Sequence, residues 1–234
     1  MRISDLEVHT VRKAIKNIHL AVYPPNGKVR VAAPLGTSDD AIRALVASKL
    51  SWIKKQQARF EMQERQTKRE YVSGETHYLM GNKYLLHVIA SEGQARVEVR
   101  AKKYIDLYIK PGASVARKEK VMEDFYRAEL KKLVPLVVDK WQKITGLKVN
   151  EFRIKRMKTK WGTCNQKSRR IWINLELAKK PPHCLDYIVL HEMTHLVEKK
   201  HTKKFRELLD SAMPQWLQIK EELNRVMLGY TNWK

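Results

Sequence analysis

The stretch HEMTHLVEKKH, from His191 to His201, contains the residues whose types and spacing could carry out metal chemistry. In an α-helix, residues four apart lie one turn above each other, so His191 and His195 can offer two imidazoles to one ion. Zinc that performs chemistry needs a third protein ligand and an open position for water, and His201 is the nearest candidate. Glu192 can act as the general base that activates water bound to the metal. The stretch therefore predicts one zinc ion in a catalytic site.

The third ligand depends on where this helix ends. A helix continued through Lys200 would point His201 away from the other two imidazoles. Metzincins share the ten-residue separation but have a glycine where this chain has Glu198, so their pattern does not apply. We expect the helix to end between Glu198 and Lys200, with Thr202 capping the next one. The alternative third ligand is a carboxylate from Glu207, Glu221 or Glu222.

The residues around the two histidines favour a buried helix. Apolar side chains surround it on nearly all sides: Tyr187, Ile188, Val189, Leu190, Met193, Leu196 and Val197. Buried imidazoles and a buried carboxylate need partners, and a metal supplies one to each. The competing interpretation is a helix whose histidines are only core or surface groups.

The rest of the composition describes a globular protein. Of its 234 residues, 43% are hydrophobic and 31% are charged, and no apolar stretch approaches the roughly 18 residues that span a bilayer. The first ten residues lack the apolar core of a signal peptide, so we expect a cytoplasmic protein. Cys164 and Cys184 form neither a disulfide framework nor a CxxC pair, and both are expected to be reduced.

The formal net charge of +22 is the second strong feature, because such an excess attracts polyanions. From Arg153 to Arg170 the chain carries eight Lys or Arg and no acid. This stretch is a candidate contact for nucleic acid or a nucleotide, through Arg153, Lys155, Arg156, Lys158, Arg169 and Arg170. The alternative is a solvated face that keeps the protein soluble.

The first half of the chain reads mainly as strands. Apolar residues alternate at period two over residues 1–36 and again between 71 and 111. Between them, Ser38 is a good N-cap for a helix with an apolar stripe from Ile42 to Ile53. Turn residues at 111–114 suggest a boundary. We therefore predict a mostly antiparallel β-rich domain with one or two helices over residues 1–112.

The second half, residues 113–234, contains the metal motif. A long helix should be kinked or split at Pro135 and should end at Gly146. A β-hairpin is then predicted, with strands at 152–157 and 170–175 and a turn near 162–167. Pro181 and Pro182 open the metal-binding helix. The predicted fold class is α+β.

Two groups of segments carry a resemblance to a known family. Towards the C-terminus these are RIKRMKTKWGTC, IWINLEL, Asp186, Tyr187 and HEMTHLVEKKHTKKF; nearer the N-terminus they are VRKAIKNIHLAVYPPNGKVRVAAPLG, KLSWIKK and GETHYLMGNKYLL. Together they resemble the YgjP-like metal-dependent hydrolases, a zincin-type family related to SprT-like proteins. The resemblance implies that His191, His195 and His201 bind the metal and that Glu192 is catalytic. The chain departs from the family pattern at Lys160, in place of Arg, and at Thr163, in place of Ser.

The resemblance further implies that residues 113–234 form a minimal zincin-like domain with a substrate strand along the cleft. We expect the strand Ile171 to Leu175 to be that edge, where an extended peptide can add to the sheet. Candidate substrate contacts are Lys160, Trp161, Ile173 and Asn174. An ordinary edge strand protected by charge is the alternative.

Three functions fit these features. The first is a zinc metallopeptidase with Glu192 as general base and a peptide or protein substrate. The second keeps the metal centre but hydrolyses a nucleotide phosphoanhydride, because the basic stretch could bind phosphates. The third is a nucleic-acid-associated protein with structural zinc, which Glu192 argues against because a structural site needs no such carboxylate.

Overall fold

The structure is a computed structural model that describes residues 1–3, 5–23, 26–61, 69–157 and 160–225. It divides the chain into two units, Met1–Gln66 and Thr67–Lys234. None of the described helices is both long enough and apolar enough to cross a membrane.

The segments in which apolar residues alternate at period two form the sheet of the first unit. Its strands are β1 (Arg2–Ile3), β2 (Leu6–Lys13), β3 (His19–Tyr23) and β4 (Lys28–Pro34), in the order β1-β2-β4-β3. Only β2 and β4 pair in parallel, so this sheet is mostly antiparallel, as predicted. The helical segment that follows consists of two helices, α1 (Asp39–Ser48) and α2 (Leu50–Glu61). Ser38 caps α1 by accepting a hydrogen bond from the amide of Ala41 at 3.2 Å.

The second unit begins with a sheet of its own. The strands are β5 (Thr76–Leu79), β6 (Asn82–Ala90), β7 (Arg96–Arg100) and β8 (Tyr104–Ile109), in the order β5-β6-β8-β7. Leu86, Ile105 and Leu107 are fully buried in the same core as the helices that follow. The two units divide at 66/67, whereas the sequence pattern predicted a boundary at 112/113. Turn residues at 111–114 mark a bend within a shared core.

Helix α3 (Val115–Thr145) runs through Pro135 without being split. Ser114 caps its start by accepting from the amide of Arg117 at 3.2 Å, and Gly146 ends it with a φ of 73°. Leu130 and Val134 are fully buried before the proline, and Val138 is buried after it, so packing holds both halves on one core.

A three-stranded sheet follows: β9 (Glu151–Lys155), β10 (Gly162–Asn165) and β11 (Arg170–Asn174). The predicted hairpin between β9 and β11 is wrong, because these strands pair in parallel and β10 pairs antiparallel with β11. Strand β11 is central, which agrees with the complete burial of Ile171 and Ile173. Strand β10 lies at an edge of this sheet.

The remaining elements position the metal motif. A short 3₁₀ helix (Leu175–Lys179) leads into α4 (Pro182–Thr194), which is followed by α5 (Lys203–Ala212) and α6 (Trp216–Arg225). Helix α4 is buried over most of its length, as its apolar composition predicted. Asp186 ties it to α3 by accepting from the indole nitrogen of Trp141 at 2.8 Å. Helix α4 ends at Thr194, earlier than the predicted Glu198 to Lys200.

Candidate active site

Three imidazoles converge beyond the end of α4. His191 and His195 lie one turn apart, and the chain then turns so that His201 reaches them from the segment before α5. The Nε2 atoms of His191 and His201 are 3.1 Å apart. Ring centroids are separated by 5.0 Å for His191 and His195, 5.0 Å for His191 and His201, and 4.9 Å for His195 and His201. The three rings thus form a nearly equilateral triangle.

This donor set fits a tetrahedral zinc ion. One ligand nitrogen from each ring lies within 4.8 Å of the other two. Nitrogens bound at 2.0–2.1 Å to tetrahedral zinc stand roughly 3.3 Å apart, close to the separation of His191 and His201. Two neutral imidazoles that point lone pairs at each other would repel, and a cation between them removes that repulsion.

The outer nitrogens of two rings are hydrogen-bonded, which fixes the ring orientations. Nδ1 of His195 lies 3.0 Å from the carbonyl oxygen of Glu198, so it donates there and leaves Nε2 free. Nδ1 of His191 lies 3.3 Å from the hydroxyl of Tyr187. Gln166 donates to the carbonyl of His195. These contacts hold the rings in place before any ligand arrives.

Phe205 forms the surface beneath the triangle, and the sequence argument missed it. Its ring centroid lies 5.0 Å from that of His191 and 4.7 Å from those of both His195 and His201. Thr202 caps α5 as predicted, by accepting a hydrogen bond from the amide of Phe205, and Phe205 therefore lies in the first turn of the helix. The cap was the available signal, since it fixes which residue of the first turn faces the histidines.

Burial and mutual proximity favour the neutral forms of His191 and His201. Burial, followed by the neighbouring rings of His195 and His201, lowers the pKa of His191 to about 3. The pKa of His201 is also lowered, mainly by burial and then by His195. Neutral imidazoles have the free lone pairs that metal binding requires.

Glu192 lies beside the triangle in a tight space. Burial raises the pKa of its carboxyl to about 8, and the opposing effect of the Lys160 ammonium is smaller. The first residue of β10, Gly162, packs directly against it: a Cβ at this position would lie 2.6 Å from both Cγ and Oε1 of Glu192. The acid therefore faces the edge strand across a gap that only glycine leaves open.

The histidines and Glu192 open into a cleft of about 750 Å³. One wall comes from residues 160–167, which include all of β10, and another comes from α6. Among the described residues that line the cleft, Glu192 is the only acid, and the four lysines are Lys160, Lys167, Lys199 and Lys220. The cleft is therefore strongly positive around one buried carboxyl group.

The predicted substrate contacts divide into two pairs. Lys160 and Trp161 line the cleft. Ile173 and Asn174 do not, because both are fully buried on the central strand β11. The side-chain amide of Asn174 donates to the carbonyls of Met157, at 2.9 Å, and Lys160, at 2.7 Å. The strand along the cleft is accordingly β10, and Asn174 holds the segment that leads to it.

The basic stretch has acidic partners that a count over residues 153–170 omits. Arg153 and Arg170 both pair with Glu151, just before that window. Arg156 pairs at 2.8 Å with both Glu119 and Glu123 of α3. These pairs use three of the predicted polyanion contacts within the fold.

The other predicted polyanion contacts have different surroundings. Arg169 donates to the carbonyl of Lys148 at 2.7 Å, and the Lys155 ammonium lies 4.3 Å from the Trp172 ring centroid. Lys158 lies outside the described residues.

Two of the carboxylates considered as third ligands have other partners. Glu207 pairs with Lys203 at 3.4 Å, and Glu222 is hydrogen-bonded to His183 at 2.7 Å. Among the described residues, the cluster that contains His191 and His195 is completed by His201.

The chain matches one family model and is similar to two solved structures. A family model described as "YgjP-like, metallopeptidase domain" matches residues 16–226. No curated protein matches the chain. Among solved structures, the abylysin metallopeptidase zymogen of Pyrococcus abyssi is 20% identical, with 41% of this chain and 99% of that chain covered and a TM-score of 0.37. The jannalysin metallopeptidase zymogen of Methanocaldococcus jannaschii is 22% identical, with 39% and 87% covered and a TM-score of 0.36.

Proposed function

The chain belongs to the YgjP-like metallopeptidase family, and from that premise we propose that it is a zinc peptidase with His191, His195 and His201 as ligands and Glu192 as general base. Membership makes it a metal-dependent hydrolase. The observation that carries the finer proposal is the convergence of the three imidazoles and a buried glutamate on one cleft, beside an edge strand.

Each residue has a distinct part in peptide hydrolysis. Zinc, when bound, would polarise the substrate carbonyl and make water more acidic. Glu192 takes a proton from the attacking water and passes it to the leaving nitrogen. Tyr187 and the Glu198 carbonyl keep two imidazoles oriented. The buried position of Glu192 limits competing hydrogen bonds from bulk water.

Strand β10 is the proposed binding surface for the substrate backbone. An edge strand presents unpaired amide and carbonyl groups, and an extended peptide can pair with them. Because Gly162 begins β10 and touches Glu192, a peptide on this edge passes next to the base. Pairing with β10 would therefore place the scissile bond near Glu192 without a large movement of the protein.

Hydrolysis of a nucleotide phosphoanhydride is the second candidate, and the lysines of the cleft favour it. Lys160, Lys167, Lys199 and Lys220 surround the site, and ammonium groups bind phosphate oxygens well. Trp161 adds an aromatic face on which a base can stack.

The test compares both substrate classes on the same protein. A panel of extended peptides and a panel of nucleoside triphosphates are incubated with the full chain, with the chain after chelation, and after zinc is restored. We expect peptide cleavage that disappears on chelation, returns with zinc and is absent in Glu192→Gln. Zinc-dependent turnover of nucleotides alone would replace the first candidate by the second, and turnover of neither would contradict both.

A further inference from the structure

A second group of potential metal ligands lies at the other end of α4. His183 and Cys184 occupy the first turn of α4, and Glu222 comes from α6. We propose that these three side chains form a second metal site, which takes a thiophilic divalent cation such as zinc and joins α4 to α6. This site shares no ligand with the histidine triangle and does not rest on the function proposed for it.

The ligand atoms are already close together. The Nε2 of His183 lies 2.7 Å from Oε2 of Glu222, and the imidazole nitrogen, the Cys184 sulfur and the carboxylate oxygen all lie within 4.8 Å of one another. In tetrahedral zinc sites, nitrogen, oxygen and sulfur ligands stand roughly 3.3–3.7 Å apart. Adjustment by about an ångström would therefore form the site.

The chemistry of the three groups suits zinc. A thiolate and a carboxylate together carry two negative charges, which balance a dication, and a neutral imidazole completes a mixed sulfur, nitrogen and oxygen set. The side chains of His183 and Glu222 are 46% and 43% exposed, so an ion can enter from solvent and keep water as a fourth ligand. The sulfur lies on the inner side, because Cys184 is buried.

Two nearby charges set the strength of this site. Burial and, to a lesser extent, Glu222 raise the pKa of the Cys184 thiol to about 12, so a metal must displace the thiol proton. The Lys180 ammonium lowers the pKa of Cys184 and would also repel a cation, but burial lowers the pKa of Lys180 itself to about 8. The net effect is weaker binding than in a site built from several thiolates, with a strong preference for metals that favour sulfur.

Occupation of this site would affect the wall of the catalytic cleft. Helix α6 contributes Lys220 and Leu223 to that wall, and Glu222 lies between them in sequence. An ion held by His183, Cys184 and Glu222 would fasten this part of α6 to the start of α4. The second ion would thus have a structural role next to the first.

Cobalt is the probe of choice, because only a thiolate ligand gives cobalt an intense charge-transfer absorption in the near ultraviolet. The full chain, freed of metal, is titrated with Co²⁺ and then with Zn²⁺. We expect about two ions per chain, a thiolate band from one of them, and loss of that band as zinc displaces cobalt. A saturated protein without the band would overturn the proposal.

Matched variants assign the band. The substitutions His183→Gln and Glu222→Gln should each weaken binding of the cobalt ion that gives the band by about tenfold or more. Cys184→Ser should abolish the band, whereas Cys164→Ser, at the cleft, should keep it. The double variant His191→Ala/His195→Ala should lose the other ion and keep the band, which separates this proposal from the histidine triangle. If neither His183→Gln nor Glu222→Gln changes the band or the affinity for its ion, the proposal is contradicted, even if Cys184→Ser does not fold.

Discussion

Gly162 and Glu192 are in direct contact inside the cleft, so that a Cβ on residue 162 would lie 2.6 Å from Cγ and Oε1 of Glu192. Real Cβ atoms essentially never approach other heavy atoms so closely. The constraint at this position is space and not backbone conformation, because Gly162 is outside the left-handed region. The position of the proposed base is thus defined by the edge strand that faces it.

The first prediction follows from this contact. In Gly162→Ala the new methyl group should displace the Glu192 carboxylate, and a displacement of about 1 Å can reduce turnover roughly a hundredfold. Zinc content should not change, since no imidazole is touched. The matched control is Gly36→Ala, where a Cβ meets nothing within 4 Å. Rates and zinc content are measured for both, and full activity in Gly162→Ala would contradict the role given to this contact.

The second prediction concerns the metal. His191→Ala or His195→Ala should remove about one zinc per chain, because two remaining ligands hold zinc poorly. Elemental analysis in a His183→Gln/Glu222→Gln background counts this site alone, with the exposed His19→Ala as control. Unchanged zinc in both variants would refute the assignment, and unchanged zinc in His201→Ala alone would return the third ligand to a carboxylate.

The third prediction separates catalysis from metal binding. Glu192→Gln keeps the size of the side chain and removes its ability to accept a proton, so turnover should fall about a hundredfold or more while zinc is retained. Zinc stoichiometry and hydrolysis rate are measured on the same preparation. Retention of full zinc and full rate together would rule out Glu192 as the base.

The fourth prediction concerns the charge of the cleft. Lys160→Gln and Lys220→Gln should each lower kcat/KM for substrates with an acidic group near the reacting bond by roughly three- to tenfold, with less effect on neutral substrates. The loss should shrink at high salt because screening weakens the attraction. Lys143→Gln, an exposed position at the end of α3, is the control. Equal losses for acidic and neutral substrates would argue against a charge effect.

The fifth prediction concerns stability. Burial and, to a lesser extent, the Arg69 guanidinium lower the pKa of His77 to about 4. The unfolded chain therefore takes up this proton first as the pH falls. The contribution of neutral His77 is complete above pH 6.5 and is lost towards pH 4, on the order of 2–3 kcal/mol.

Urea unfolding with chelator present, in wild type and in His77→Gln, measures this contribution as a difference. The free-energy difference between the two proteins should shrink from pH 6.5 to pH 4. The exposed His19→Gln is the control for loss of a histidine. A difference between wild type and His77→Gln that stays constant over this pH range would contradict the assignment to His77.

Local spacing was enough to predict which side chains would meet, because the arrangement of residues 191, 192 and 195 follows from helix geometry alone. It also predicted the caps at Ser38 and Thr202, each of which binds an amide three residues ahead. These are short-range features. They need no knowledge of what packs against the helix.

The sequence pattern could not predict the direction of the strands or the pairing of residues far apart in the chain. Alternation of apolar residues is the same in parallel and antiparallel strands, so it could not show that β9 and β11 run together with β10 at the edge. Asn174 was predicted as a substrate contact because the strand from Ile171 to Leu175 was expected to be the edge strand along the cleft, whereas β11 is the central strand. The acids that pair with Arg156 come from α3, more than thirty residues earlier, and no local window contains them.

Because α4 ends at Thr194, the proposed ligands lie partly in a buried helix and partly in the irregular segment that follows it. His191 belongs to a helix whose neighbouring residues are almost all buried, whereas His201 is exposed and lies in the irregular stretch before α5. Amide hydrogen exchange should therefore be slowest across α4 and fast from residue 196 to 202 in the metal-free chain. Brief local opening of that stretch would withdraw His201 and leave His191 and His195 in place, so metal entry and escape would occur without unfolding of the core.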